Sequence, residues 1–248
     1  MKTKTSRPKR KPITVEEFVR QREQDPEYLA RLEESEKKRQ VQIREFRRAA
    51  APMMEDLRQA GYDVRDSPQE LVWQFGRTKV PYSSAVPILL KWLSRVSSPD
   101  VKETIVRTLS VPWAKEAAPA LFREFREAAE PPANETTWKW AIGNAFSVIA
   151  DDTIFNDLVD LVRDKRHGRD REMLALALGN MKDERAVDVL IELLQDGQVA
   201  GHAIIALGKL KAKLAEPYIE RFLSDPKTWV RQEATKALKR IRRAVDSG

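Results

Sequence analysis

The chain has 248 residues, of which none is cysteine and only two are histidine. The absence of cysteine excludes disulfides, thiolate metal sites and cysteine nucleophiles, and it favours a reducing compartment. Two histidines are too few for a metal site built from imidazoles. The longest uncharged stretch, Gly197–Gly208, is far shorter than the roughly 20 apolar residues of a membrane span, and no apolar signal-peptide core follows the start. We therefore expect a cytoplasmic protein without a membrane segment, metal or cofactor.

Positive charge is concentrated at the two ends of the chain. Residues 1–12 carry six basic and no acidic side chains, so residues 13–248 hold only +1 of the net charge of +7. The segment 211–248 has a net charge of +5, which leaves −4 for residues 13–210. We predict that residues 1–12 form a disordered basic tail. Such a tail can contact nucleic acid or an anionic membrane, but the lack of interleaved aromatic residues favours a solvated terminus.

Residues 13–80 contain helix signals but no repeat. Asp25 followed by Pro26 is typical of a helix start. The helix that begins there would cross residues 33–40, which are polar on every side and have no face to bury. Pro52 is expected to kink or divide this helix. We predict a helical arm or cap that either folds back on the rest of the chain or mediates a dimer.

Residues 81–248 repeat a two-helix pattern. Apolar residues recur at helical spacing, and no run of alternating β-branched residues indicates a strand. The second helix of each repeat can be aligned on one column, which reads Val101, Trp138, Asp170, Val199 and Val230. Successive members of this column are 37, 32, 29 and 31 residues apart. This periodicity predicts an all-α solenoid of about five helix pairs, whose long surface suits a partner better than a catalytic cleft.

Two phrases in this region, ALGNMKDERAVDVLIELLQD and DPKTWVRQEA, resemble HEAT repeats of the short type named after phycobilisome lyases. The resemblance covers residues 84–125 and 171–241, is weak over 126–150, and does not reach the first 80 residues. It implies a right-handed α–α superhelix in which the second helices line the concave face.

The position after the aligned column is basic in four of the five repeats. It reads Lys102, Lys139, Arg171, Ala200 and Arg231. A cationic stripe on the concave face would bind phosphates or an acidic partner. The alternative is a ladder in which these side chains pair with aspartates near the helix starts of neighbouring repeats. The aspartates placed for such pairing are Asp100, Asp196 and Asp225. Because a basic residue is common at this position in the family that the chain resembles, the ladder is the favoured interpretation.

Further residues are predicted to contribute to a partner-binding concave face. They are Trp138, Trp140, His202 and Trp229. One of the first two is expected to fill a core position. An exposed Trp140 would be an anchor for a protein partner, or it packs under the irregular segment 129–137. Trp229 lies at the rim, and a histidine at position 202 is most simply an exposed side chain.

Enzymes built from related repeats provide a test of catalysis. The di-iron hydroxylases that the repeat resembles need adjacent His–Glu pairs, and the matching positions around Glu172, His202 and Glu233 contain none. Trp138, Trp140 and Asp170 only superficially match the groove of HEAT-like DNA glycosylases. No P-loop, GxGxxG or nucleophile triad occurs.

We therefore predict a non-catalytic scaffold that binds another protein on its concave face, for example in a regulatory or toxin-neutralising role. The alternative is a nucleic-acid-binding protein that contacts phosphates through concave-face cations and its basic tails. The partner and the oligomeric state stay open.

Overall fold

The computed structural model describes residues 14–128 and 138–245. These residues form helices and contain no strand, which confirms the all-α prediction. The chain divides into two compact units, residues 1–48 and 49–248. The predicted basic tail and the segment 129–137 lie outside the described residues. The prediction that the repeat array starts at residue 81 stays a prediction.

The N-terminal unit contains α1 (Val15–Glu23) and most of α2 (Pro26–Gln59). Asp25 caps α2 as predicted, because its Oδ1 accepts a hydrogen bond from the backbone N–H of Glu27 at 3.0 Å. α2 is a single helix that continues through Pro52 into the C-terminal unit, so the expectation that this proline divides the helix is wrong.

The described part of the C-terminal unit continues with helices α3 to α13. Their bounds are α3 Glu70–Thr78, α4 Val86–Leu93, α5 Pro99–Leu109, α6 Ala118–Glu127, α7 Lys139–Ile149, α8 Phe155–Arg163, α9 Glu172–Leu178, α10 Arg185–Leu193, α11 Ala200–Leu210, α12 Glu216–Glu220 and α13 Thr228–Val245. Single turns of 3-10 helix precede α4, α6, α8 and α12, and a longer one at Lys165–Arg171 precedes α9.

From α4 onward the helices pack as five consecutive pairs, which are α4–α5, α6–α7, α8–α9, α10–α11 and α12–α13. The second helix of each pair also contacts the second helix of the next pair. We call the set α5, α7, α9, α11 and α13 the second-helix row. The predicted solenoid of five helix pairs is therefore confirmed. Each residue of the aligned column lies within two residues of the start of its helix in this row.

Small residues set the spacing of the second-helix row. A Cβ added to Gly179 would lie 2.8 Å from the Cα of Ala206, and one added to Gly208 would lie 2.7 Å from the Cα of Ala237. Real Cβ atoms do not approach backbone so closely. Glycine near the end of these helices therefore permits backbone contact between neighbouring pairs, which explains why it recurs in the repeat.

The same substitution should have opposite effects at two helical glycines. Gly208→Ala places a methyl group against the backbone of α13, and we expect it to lower the free energy of unfolding by about 1–2 kcal/mol, since overpacking outweighs the gain in helix propensity. Gly76→Ala in α3 meets nothing within 4 Å, and we expect it to raise that free energy by about 0.5–1 kcal/mol. Urea denaturation measures both, and a stabilising Gly208→Ala would contradict the close approach.

Candidate functional site on the second-helix row

The basic column begins with Lys102, which joins one helix pair to the next. Its Nζ lies 2.5 Å from Oε2 of Glu124 and 5.8 Å from the ring centroid of Trp138. Glu124 is buried, and Lys102 is partly buried. The ammonium group is therefore engaged within the stack, with a glutamate as its acceptor where the sequence suggested an aspartate.

Lys139 is fully buried. Its Nζ lies 3.3 Å from Nδ1 of His167 in the following helix pair and 5.6 Å from the ring centroid of Phe125. His167 is buried as well, and its Nε2 lies 3.6 Å from Oδ2 of Asp164. The prediction that Lys139 faces a partner is wrong, because the stacking of the next pair covers this side chain.

Arg171 forms the best-defined rung of the column. It is 1% exposed. Its guanidinium donates to the carbonyl oxygens of Gly168 at 2.9 Å and Val162 at 3.1 Å, and to Oε1 of Gln198 at 2.9 Å. Nη1 also lies 2.9 Å from Oδ2 of Asp196. The ladder interpretation is thus confirmed at this position, and the alternative of a solvent-facing Arg171 is wrong.

Asp196 is held in its ionised form by these contacts. Burial raises the pKa of this carboxyl, but the backbone N–H of Gln198 and the guanidinium of Arg171 outweigh burial and hold the pKa below its ordinary value. Arg171 and Asp196 therefore form an ion pair that links the third and fourth helix pairs.

The rung is missing between the fourth and fifth pairs, where the column reads Ala200. The carbonyl oxygens of Leu194 and Gly197 lie at this junction. Here they accept from Nη2 of Arg221 at 3.5 Å and from Nζ of Lys227 at 3.4 Å. A groove of about 580 Å³ remains beside Ala200. In the last pair, Arg231 donates to carbonyl oxygens of its own loop, Asp225 at 2.7 Å and Pro226 at 3.0 Å.

Trp229 lies next to this groove and remains 43% exposed. Its ring packs directly on Gly201, where an added Cβ would overlap the indole. The ring centroid is 5.6 Å from that of His202. Trp229 is therefore an exposed aromatic side chain held on a rigid platform. Trp138 and Trp140 are both half-buried. Whether Trp140 packs under segment 129–137 involves residues outside those described.

His202 is more buried than the sequence suggested. Burial lowers its pKa below the ordinary value of 6.5, opposed by the nearby Glu172 carboxylate and reinforced by Arg169. Its Nε2 lies 3.9 Å from Oε2 of Glu172. Nδ1 is buried and has no hydrogen-bond partner among the described residues. Burial thus favours the neutral form of His202, whose ring lies beside that of Trp229.

The site contains two cations that the sequence analysis did not single out, Arg221 and Lys227. The sequence contained a signal that this junction differs, because the basic column has alanine at position 200, where the other repeats have lysine or arginine. Within the described residues no group of three or more His, Cys, Asp or Glu side chains could hold a metal ion. No helix in those residues has the length and apolarity needed to cross a membrane.

Removal of the buried guanidinium should weaken the stack. We expect Arg171→Met to lower the free energy of unfolding by about 3–5 kcal/mol, because Asp196 then stays partly buried without its cation. Arg231→Met is the matched control, since Arg231 is only partly buried and bonds to neutral carbonyls, and we expect it to cost about 1 kcal/mol. Equal losses in chemical denaturation would contradict the ladder.

The lowered pKa of His202 predicts a dependence of stability on pH. In the unfolded chain His202 binds a proton at its ordinary pKa of 6.5, whereas in the folded chain it does so only at a lower pH. Because the unfolded chain binds more protons in this range, the stability present above pH 6.5 is lost as the pH falls through the folded pKa. Wild type should therefore lose more stability than His202→Gln between pH 7.5 and 5.5. Urea denaturation at both pH values measures this difference, and parallel losses would contradict it.

Part of the chain matches a family of known repeat proteins. The family described as PBS lyase HEAT-like repeat matches residues 170–196. The matched segment begins just before α9 and ends just after α10. It therefore contains both Arg171 and its partner Asp196. A search of curated proteins found no significant match. The matched segment spans one repeat, and together with the five packed helix pairs it supports a HEAT-like repeat architecture.

Proposed function

We propose that this chain is a non-catalytic scaffold that binds another protein at the surface around Trp229. The exposed indole of Trp229 is the observation that supports it. Tryptophan is among the side chains that most often dominate binding energy at protein interfaces. The indole is already ordered by Gly201 and His202, so binding would immobilise little additional side-chain freedom.

The contacts of the basic column favour a protein partner over nucleic acid. Phosphate binding depends on cations that reach solvent. Lys139 and Arg171 are buried, and Lys102 is paired with Glu124. These three positions of the basic column therefore do not present the cationic stripe that a phosphate backbone needs.

Trp229→Ala should weaken capture of the partner by about thirtyfold or more, the effect of losing an aromatic hot spot. The full chain, immobilised, would be exposed to extract of its source cells, and the captured protein would be identified and titrated against both forms. Trp73→Ala is the matched control, because Trp73 in α3 is 64% exposed and lies on another helix.

Two results would overturn the proposal. One is undiminished capture by Trp229→Ala. The other is retention of nucleic acid in place of protein, with an affinity that falls steeply as salt concentration rises. Circular dichroism of each variant establishes that a loss of capture does not come from unfolding.

A further inference from the structure

Two successive junctions of the stack differ at two corresponding positions. In the aligned column, Arg171 of the third pair corresponds to Ala200 of the fourth. Gln198 and Lys227 occupy equivalent places in their loops, because each donates its backbone N–H to Oδ1 of the aspartate two residues earlier, at 3.0 and 2.8 Å. The cations at the two junctions therefore come from opposite sides. Between the third and fourth pairs, Arg171 of the earlier pair fills the space. Between the fourth and fifth pairs, Arg221 and Lys227 of the later pair reach across.

This exchange of sides leaves the later junction loosely bonded. Arg171 makes hydrogen bonds of 2.9–3.1 Å and is fully buried. Arg221 and Lys227 reach the carbonyl oxygens of Leu194 and Gly197 only at 3.5 and 3.4 Å, and both side chains are exposed. Arg221 also donates from Nη1 and Nη2 to the side-chain oxygen of Gln195 at 3.2 and 2.8 Å. The ammonium group of Lys227, which has three N–H donors, is therefore the less engaged of the two cations toward an acceptor that enters the groove.

The groove beside Ala200 also has apolar walls. Phe222 and the buried Val230 line it together with Ala200 and Gly201. Asp225 is the carboxylate of the lining, and its Oδ1 already accepts a hydrogen bond from the backbone N–H of Lys227 at 2.8 Å. Because the groove lining has two cations and one carboxylate, it attracts an anion and repels a further cation such as another guanidinium group.

We propose that this groove binds the carboxylate of an aspartate or glutamate side chain of the protein partner. Arg221 and Lys227 would donate hydrogen bonds to it. Gly201 both lines the groove and supports the Trp229 ring, so an apolar side chain next to the acidic residue would pack on the indole. This inference rests on the proposed function. It specifies that the partner protein presents an acidic residue with an apolar neighbour.

The first experiment uses two peptides that differ only in charge, acetyl-Leu-Glu-Leu-amide and acetyl-Leu-Gln-Leu-amide. We expect the glutamate peptide to shift the backbone amide signals of Ala200, Gly201 and Lys227 in NMR spectra of the full chain. It should bind at least about threefold more tightly than the glutamine peptide, as expected for a partly exposed ion pair. Equal binding of both peptides, or no shift at these amides, would overturn the proposal.

The second experiment changes the groove itself. Lys227→Gln should remove the preference for the glutamate peptide, whereas Lys213→Gln, an exposed lysine outside the groove lining, should leave it unchanged. The double variant Ala200→Arg, Lys227→Gln recreates the residue pair of the preceding junction, fills the groove and should abolish binding. Lys227→Gln alone keeps the test valid if the double variant does not fold.

Two further outcomes separate this inference from the scaffold function. If inorganic phosphate binds as tightly as the glutamate peptide, the groove is a general anion site and the proposal is overturned. If Trp229→Ala abolishes capture of the partner and Lys227→Gln does not weaken it, the scaffold function stands and the acidic specificity is wrong.

Discussion

Backbone contact between consecutive second helices is the constraint on which the other features of the stack depend. Gly179 against Ala206 and Gly208 against Ala237 bring neighbouring helices to a distance that no larger residue permits. At this distance, side chains at the start of one second helix reach the loop of the next pair. The contact between Arg171 and Asp196 is a direct consequence of that spacing.

Close stacking also decides the role of the basic column. A cation that is removed from water must be compensated by several acceptors, and Arg171 has four of them. Lys102 meets Glu124, and Lys139 meets His167. Lys102, Lys139 and Arg171, which form a row of cations in the sequence, thus link neighbouring helix pairs in the structure, whereas Arg231 bonds within its own pair.

The sequence was sufficient for the features that depend on one period of the repeat. Helix pairing follows from the spacing, and the ion pair of Arg171 with Asp196 was the interpretation that the resemblance to the repeat family favoured. The burial of Lys139 could not be predicted in this way, because it depends on His167 of the following pair, whose side chain the repeat alignment does not place. Pro52 was expected to kink or divide the helix, and the helix is not divided there. Pro52 removes one N–H donor, while Ala50, Met53 and Met54 around it are buried.

Departures from the repeat distinguish one junction of the stack from the next. Lys102, Lys139 and Arg171, which follow the basic pattern, are engaged with the neighbouring pair. Ala200 and Gly201 depart from the repeat at adjacent positions, the first by removing a linking side chain and the second by allowing an indole to lie on the backbone. One leaves a cation-lined groove and the other an ordered aromatic ring beside it. Both results follow from the absence of a large side chain, so two small residues create the most distinctive surface on the second-helix row.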